Sequence, residues 1–574
     1  MTVRTRLSSD MNCITGKACK HYSTGSSSQQ QQQQQGKWSM DSLRTRDVRV
    51  MCRGPCWIEA LPAELFALVF SHASGTAAMN SVYCYNEHHS QRLSLDRMAA
   101  LDRVRDPSMM QVCRRWRSQL LPWYYQYAVY MGLTNELDIP EEHLGYVRRI
   151  LIHIPKGYRS FRSAARAMHW LPAEVRAKVR WLGLAMGEGA RISKSEYGAL
   201  AGFFPNLATV SMDLAQIDLT ERYICPAILD SGSAVRITAL AFHRCGLAEQ
   251  KVRASLICRA AATLEFLDTG QLDTHGLADI FWRPKTPSTV CFPRVRRLYF
   301  HISGADGKHL AFVQTTRQLF PRVEELRCVA GLAPGGEDGV ENLRLFLECV
   351  LGYHLPELQR LSVVCDLAHM MPELSSASLP ALEHVLLAWR RGPTTGGSGR
   401  ASLGWSLDVA AGFSRLQHFS ARAPATTPGR PLRLPERQLA GLHTLDLRTW
   451  AVSLCDLQLM LRSLPGIQNL ALTLMDPHKY PPPDDIEFNL DMHRLWLSTV
   501  ECKWDNLALD SLLTTVTQMV NLRELLLFRR ALQRLKTAIV RAKSDDLQEF
   551  AKMVNIGQCD CNEWTVKTSS TLSL

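Results

Sequence analysis

The sequence predicts an α/β protein in which a short N-terminal helical module precedes a long, irregular solenoid of strand-plus-helix repeats. Two observations carry this prediction: an apolar pattern that recurs fourteen times from residue 144 onward, and a purely helical pattern before it. The chain has 574 residues, a length that suits several domains or one long repeat array. With 46% hydrophobic residues it can build a sizeable core, which excludes a wholly disordered or collagen-like chain.

Residues 1–56 form a polar, basic tail. They contain the serines Ser26 to Ser28 and a glutamine run from Gln29 to Gln35. Such a segment lacks the periodic apolar residues of a packed core, so we expect it to be disordered. Its beginning also lacks the apolar stretch of a secretory signal.

Helical patterning begins after this tail. Leu61, Leu65 and Val69 recur at helical spacing, a polar stretch follows, and the apolar pattern then resumes. The sequence therefore predicts a helical module over residues 57–130, with an inserted loop over about residues 75–107.

Two motifs stand within this module, Leu61-Pro62-Ala63-Glu64-Leu65 and Val112-Cys113-Arg114-Arg115-Trp116. Together they resemble the F-box, a short helical module that docks on the Skp-type adaptor of cullin–RING ubiquitin ligases. The resemblance implies helix-in-groove binding, in which a few apolar anchors carry most of the energy. The implied adaptor-binding residues are Leu61, Pro62, Leu65, Val69, Phe70, Val112, Cys113 and Trp116. The alternative is an ordinary helical cap that binds no adaptor.

The repeated pattern after residue 144 places apolar residues at positions 1, 4, 7 and 9, and proline often follows position 1. One copy is Phe292-Pro293-Arg294-Val295, completed by Leu298 and Phe300. The copies begin between residues 144 and 519, so the mean step is about 29 residues, at the upper end of the ~20–29 residues of leucine-rich repeats. The pattern resembles those repeats and predicts a leucine-rich-repeat solenoid over residues 144–528.

Each repeat is expected to turn positions 7 and 9 inward from a strand, while the helix before the strand supplies positions 1 and 4. Helical patterns precede several strands, as at residues 339–351 and 507–516. The asparagine that usually follows the strand in leucine-rich repeats is mostly absent, so the solenoid resembles divergent, fungal-like members of the class. An F-box followed by leucine-rich repeats resembles the architecture of ligase substrate receptors.

Strand positions that alternate with the inward pair are expected to form a concave face that contacts a ligand. They mix both charges with tyrosine and tryptophan, which suits a protein epitope better than a phosphate backbone. The candidate substrate-binding residues are Arg297, Tyr299, Arg327, Arg360, Asp446, Arg448, Arg494 and Trp496.

No cluster of residues predicts catalysis. The stretch from Gly304 to His309 lacks the spacing of a phosphate loop, and the glycines around Ser398 lack the setting of a nucleophile elbow. The 17 cysteines are an odd number spread along the chain, which fits reduced thiols in a cytoplasmic or nuclear protein. We expect no enzyme activity, no catalytic or metal-binding residues and no cofactor. No apolar run approaches the ~18 residues of a membrane span.

The formal net charge of +12 lies mostly at the two ends of the chain. Residues 1–56 carry nine Lys and Arg against three Asp and Glu, and residues 529–574 carry eight against five. The latter range is predicted as a C-terminal helix and tail. Because the repeats are close to neutral, we expect neither nucleic acid nor membrane as a partner.

The sequence thus predicts the substrate-recognition subunit of an SCF-type ubiquitin ligase. Its expected partners are a Skp-type adaptor, a cullin scaffold and a protein substrate. The alternative is a leucine-rich-repeat interaction scaffold with no role in ubiquitin transfer.

Overall fold

The structure is a computed structural model of the whole chain, which divides into two units, Met1–Pro62 and Ala63–Leu574. All residues described below belong to the second unit. They are residues 117–118, 121–122, 125–131, 136–154, 168–186, 203–214, 236–243, 250–272, 291–303, 320–331, 344, 347–348, 351, 355–367, 370–391, 403–423, 439, 441–464, 466–474, 492–499, 506–517, 519, 521–541 and 545–558.

These residues form one sheet of seventeen strands. All of its pairings are parallel except one, between β1 and the two-residue β2. The strands are β1 (Tyr127–Met131), β2 (Glu136–Leu137), β3 (Arg149–Ile154), β4 (Trp181–Met186), β5 (Thr209–Leu214), β6 (Ala239–His243), β7 (Phe266–Leu272), β8 (Arg297–Ser303), β9 (Glu325–Gly331), β10 (Arg360–Leu367), β11 (His384–Arg391), β12 (His418–Arg422), β13 (Thr444–Val452), β14 (Asn469–Leu474), β15 (Arg494–Thr499), β16 (Glu524–Leu527) and β17 (Asn555–Gln558).

The strand register confirms the repeat pattern. Leu298 of β8 pairs with Leu326 of β9, which pairs with Leu361 of β10, and all three occupy position 7 of their repeats. The residue just before most strands adds a backbone hydrogen bond to the same residue of the previous repeat. Glu324 N–H, for example, donates to the Arg296 carbonyl at 2.8 Å. The protein is therefore an α/β repeat solenoid built on one long parallel sheet.

Positions 1 to 4 of the repeat form a turn, so the prediction that a helix supplies them was wrong. The Val295 N–H donates to the Phe292 carbonyl at 3.3 Å, and Leu358 N–H donates to Leu355 at 3.2 Å. This is the hydrogen bond of a β-turn, whose second residue is often proline because its φ is already set. Here that residue is Pro293. The spacing of the apolar residues alone does not distinguish a turn from a helix, because both bring residues three positions apart to the same side of the chain.

Helices lie elsewhere in the connections between strands. One short 3-10 helix spans Glu141–Tyr146. The α-helices bounded within the described residues are α1 (Ala173–Lys178), α2 (Gln250–Ala260), α3 (Leu403–Ala411), α4 (Leu454–Ser463), α5 (Asn506–Thr517), α6 (Arg529–Arg541) and α7 (Asp545–Met553). Helix α4 begins with a capping box, in which the Ser453 hydroxyl accepts the Asp456 N–H and the Asp456 carboxylate accepts the Ser453 N–H.

One continuous hydrophobic core runs along the sheet. Its members are the inward strand residues, the turn residues at positions 1 and 4, and apolar side chains of the helices, such as Ile257 of α2 and Leu457 of α4. The sheet reaches beyond residues 144–528 at both ends, because β1 pairs with β3 and β17 pairs with β16. Burying each large apolar side chain stabilises the fold by roughly 1.5–3 kcal/mol.

A bulge interrupts β7. The pairing register with β8 shifts between Asp268 and Gln271, and Gly270 takes a φ of +65° within the bulge. The Asp268 carboxylate accepts the Gly270 N–H at 3.0 Å. The fully buried guanidinium of Arg253, on α2, donates to the carbonyls of Thr269 and Gln271 at 2.8 and 2.9 Å. The bulge is therefore fixed by one glycine, one carboxylate and one buried cation.

Candidate functional site: the outer face of the sheet

The outer face of the sheet consists of the strand residues that alternate with core residues. On β8 these are Arg297, Tyr299 and His301, which alternate with the buried Leu298, Phe300 and Ile302. Parallel pairing places the equivalent residues of neighbouring strands side by side, so the outer face is crossed by rows of aligned side chains. All eight candidate substrate-binding residues lie on this face. They are Arg297, Tyr299, Arg327, Arg360, Asp446, Arg448, Arg494 and Trp496.

Aromatic and charged side chains are packed together on β7 to β9. The Tyr299 ring meets the Phe266 ring edge-on at a centroid distance of 5.2 Å, and the Arg297 guanidinium lies 5.3 Å from the Phe266 centroid. The Tyr299 hydroxyl donates a hydrogen bond to the Glu325 carboxylate. Burial, together with that negative charge, raises the pKa of Tyr299 far above its usual range. Tyr299 is therefore a fixed, neutral donor whose hydroxyl already has an acceptor.

His301 stands beside two carboxylates and two cations. A Cβ atom added to Gly331 would lie 3.5 Å from His301 Nε2 and 3.6 Å from Asp366 Oδ2, so both groups border the same small space. The Asp366 carboxylate pairs with Arg390 at 3.6 Å. Burial and the positive charge of Arg390 lower the pKa of His301 to about 4, against the opposing charges of Asp366 and Asp268. The positive charge of Arg327 also lowers the pKa of His301.

His301 should make the solenoid less stable in acid. The unfolded chain binds a proton at this imidazole near pH 6.5 and the folded chain only near pH 4. The native state therefore keeps its full stability above pH 6.5 and loses it as the pH falls toward 4, by about 3 kcal/mol for this group. We expect His301→Gln to reduce the loss of urea stability between pH 7 and pH 4. The control is the same substitution at an exposed histidine outside this cluster, His169→Gln. An unchanged slope in His301→Gln would contradict this assignment.

Two stacked histidines separate this region from the next. The rings of His384 and His418 lie parallel, with centroids 4.2 Å apart. Burial, followed by the charges of His418 and Arg360, lowers the pKa of His384 to about 4, and burial lowers that of His418 as well. Arg360 itself is exposed. It thus remains accessible to a ligand.

An ion-pair network forms the outer face of β12 to β15. The Asp446 carboxylate accepts bonds from Arg448 at 2.8 and 2.6 Å and from Arg422 at 3.2 Å. The Arg448 guanidinium lies 4.8 Å from the Trp496 ring centroid. Burial raises the pKa of Asp446, but the bonds and charges of Arg448 and Arg422 outweigh it and hold the pKa below its usual value. Asp446 therefore organises two arginines and is itself fully engaged by them.

The last candidate, Arg494, pairs with Glu524 at 3.1 Å and remains largely exposed. Such an exposed pair contributes little to stability and opens easily to a ligand. The candidates thus do not converge on one point. Tyr299 and Asp446 are committed to neighbours, whereas Arg360 and Arg494 are presented to solvent.

A groove of about 790 Å³ lies on the outer face between β3 and β8, and the sequence did not predict it. We call it the cationic groove. Among the described residues that line it, five are basic and none is acidic. The lining residues are Gln126, Arg148, Arg149, Ala177, Lys178, Arg180, Trp181, Ala208, Thr209, Val210, Ser211, Ala239, Leu240, Ala241, Phe266 and Arg297. Only Arg297 was a candidate from the sequence. Small residues beside several basic ones were the available signal in the sequence.

The predicted adaptor-binding residues lie outside the described residues. They are Leu61, Pro62, Leu65, Val69, Phe70, Val112, Cys113 and Trp116. The same holds for the predicted tail of residues 1–56 and the loop of residues 75–107. In the part of the chain that the structure describes, no helix is long and apolar enough to cross a membrane. Nor do those residues include a group of three or more His, Cys, Asp or Glu side chains placed to hold a metal ion.

The geometry defines the chain as an α/β repeat solenoid with a polar and aromatic outer face. No family model matches the sequence, and no curated protein matches it. Among solved structures, 47 chains match this one. One belongs to the crystal structure of the Rad7 and Elc1 complex in yeast, with 13% identity and a TM-score of 0.32 over 64% of this chain and 80% of that chain.

Proposed function

We propose that the protein is the substrate-recognition subunit of an SCF-type ubiquitin ligase. In this proposal the F-box-like module binds a Skp-type adaptor, which links the chain to a cullin scaffold. The outer face of the solenoid binds a protein substrate. The chain itself performs no chemistry and needs no cofactor. It acts by tethering, because binding the substrate near the ubiquitin-transfer machinery raises its effective concentration there.

The observation that carries the recognition role is the outer face itself. A parallel sheet holds its side chains at fixed spacing over many repeats, and the face presents arginine and tryptophan, the residues that most often anchor protein interfaces. Arg360 and Arg494 are exposed on it, and Trp496 lies under Arg448. A rigid surface of this kind binds without large ordering costs.

The F-box resemblance supports the adaptor role. The Leu-Pro pair at residue 61 and the Val-Cys-Arg-Arg-Trp motif at residue 112 occur together and precede the solenoid, in the order used by known receptors. A plain interaction scaffold would need the same outer face but neither motif. Adaptor binding is therefore the property that separates the two functions.

An adaptor pulldown tests the proposal. We expect the purified chain to retain a Skp-type adaptor, and Pro62→Ala combined with Trp116→Ala to reduce retention by more than about tenfold, because apolar anchors dominate such interfaces. The control is Trp170→Ala, since Trp170 is 84% exposed and lies outside the module. Its adaptor retention should equal that of the wild type. Deleting residues 75–107 should also preserve retention if that segment is an inserted loop.

Two results would favour the scaffold instead. The wild-type chain would retain no adaptor, or the Pro62 and Trp116 double variant would retain as much as the wild type.

A further inference from the structure

We propose that the cationic groove binds an acidic peptide segment of a partner protein, with an apolar side chain seated between Trp181 and Phe266. The proposal deepens the proposed function, on which it rests for the idea that the solenoid binds a protein. It specifies where on the outer face the partner protein binds and which chemistry the bound segment of that partner has.

The charge of the groove selects an anionic ligand. Arg148, Arg149, Lys178, Arg180 and Arg297 line it, without an acidic residue among the described lining. Elsewhere on the outer face, Asp446 and Glu524 pair with arginines. Guanidinium groups match carboxylates in a planar, two-bond geometry, and complementary potential speeds encounter and fixes register.

Small residues make the floor of the groove. Ser211 and Ala241 line the groove and pair with each other across β5 and β6, at the middle position of the outer face. The Trp181 ring lies across Gly183, since a Cβ atom there would overlap the ring carbons. Phe266 stands on the opposite side of the groove, held edge-on by Tyr299. An apolar side chain therefore finds two aromatic walls and a shallow floor.

Ser211 supplies a specific donor. Ser211 is only 4% exposed, and its hydroxyl has no hydrogen-bond partner among the described residues. A buried hydroxyl without a partner is unfavourable, so a ligand oxygen that accepts from it gains affinity. A carboxylate or a peptide carbonyl is such an acceptor. Ser211 is one of the residues that line the groove.

The dimensions favour a peptide over a nucleic acid. About 790 Å³ is the size of a ligand pocket and holds a few residues. A nucleic acid binds along a continuous basic track that follows its backbone. Here the basic lining ends at β8, and Glu325 begins the next strand. An acidic peptide needs only the charges around the groove.

The test is fluorescence anisotropy with the purified full chain and labelled probes. The main probe is a short peptide of Asp and Glu with one central Phe, and its neutral partner carries Asn and Gln instead. A phosphoserine peptide without other acids and a single-stranded oligonucleotide are the competing ligands. We expect the acidic peptide to bind more tightly than each of them, with an affinity that falls as salt is added.

Two arginines at the same repeat position provide a matched pair of variants. Arg180 and Arg523 each precede a strand and donate their backbone N–H to the residue before the preceding strand, at 2.9 Å. Both are exposed, but only Arg180 lines the groove. Arg180→Glu should weaken acidic-peptide binding about tenfold, and Arg523→Glu less than about twofold. Ser211→Ala should weaken it by about threefold, without changing its salt dependence.

Each other outcome overturns the proposal. Equal loss in Arg180→Glu and Arg523→Glu would mean diffuse attraction to a basic chain. Equal binding of the neutral peptide would remove the role of the carboxylates. Stronger binding of the phosphoserine peptide or the oligonucleotide would assign the groove to that ligand. The peptide-binding assay contains no adaptor, so a failure of the acidic peptide to bind would not contradict the proposed ligase role. Equally, a failure of the chain to bind the adaptor would not contradict peptide binding by the groove.

Discussion

Replacing Gly270 with alanine is expected to destabilise the repeats around β7 by roughly 2–5 kcal/mol, as the sum of a left-handed backbone and an overpacked contact. Gly270 has a φ of +65°, which costs any residue with a Cβ atom. The added methyl group would also overlap the carbonyl oxygen of Phe242, a backbone atom that cannot rotate away. Both penalties act at the bulge that Arg253 and Asp268 hold in place.

Hydrogen exchange measured peptide by peptide would locate this effect. A repeat protein is stabilised between neighbours, so amides of β6 to β8 should exchange faster while distant strands remain protected. Gly145→Ala is the matched control, since no atom lies within 4 Å of the Cβ position there. It should leave exchange unchanged. If Gly270→Ala matched that control, the assigned bulge geometry would be wrong.

Replacing Asp446 with alanine is expected to lower the free energy of unfolding by about 3 kcal/mol, the lower end of the range for breaking a buried ion pair, because it leaves two largely buried cations without their counter-charge. Arg448 and Arg422 both bind this carboxylate, and their side chains are only 19% exposed. Losing the carboxylate should also release Arg448 from the Trp496 ring. Faster amide exchange over β12 to β15 and a shift in tryptophan fluorescence would report the two effects.

An exposed pair of the same chemistry is the control. Asp510 accepts two bonds from Arg534 at 3.1 and 3.0 Å in solvent, so Asp510→Ala should leave exchange nearly unchanged. The pH dependence has a definite sign. The pKa of Asp446 is lowered in the folded chain, so its contribution is present above the pKa of an unfolded aspartate and is lost as the pH falls below it. Equal effects of Asp446→Ala and Asp510→Ala would contradict the network.

The parallel sheet was predictable from the sequence because the strand of each repeat pairs with the strand of the next repeat. Once Leu298, Leu326 and Leu361 occupy the same position of the pattern, parallel pairing aligns them. The end strands do not follow the pattern. In β1, Tyr127 to Met131 are all apolar apart from the tyrosine hydroxyls, so the inward and outward residues look alike. In β17, only Ile556 carries a large apolar side chain, among Asn555, Gly557 and Gln558.

The site was predictable only in part. Alternation along a strand identifies which residues face outward, and it placed Arg297 and Trp496 on the outer face. It does not show which charges cancel across strands. The pair of Arg422 and Asp446 joins residues 24 apart, and its geometry depends on the length of one repeat. The cationic groove was missed because its basic residues belong to different repeats, as Arg148, Arg180 and Arg297 do, and a search within single repeats does not bring them together.

The most direct test of the receptor role is a quantitative affinity capture with the full chain and two variants. One variant combines Pro62→Ala with Trp116→Ala, and the other combines Arg360→Glu with Arg494→Glu on the outer face. The wild type should capture a Skp-type adaptor, a cullin and a substrate protein. The Pro62 and Trp116 variant should lose the adaptor and the cullin but retain the substrate. The Arg360 and Arg494 variant should lose the substrate but retain the adaptor and the cullin. A wild-type chain that captures no adaptor, or an outer-face variant that retains every substrate, would contradict this account.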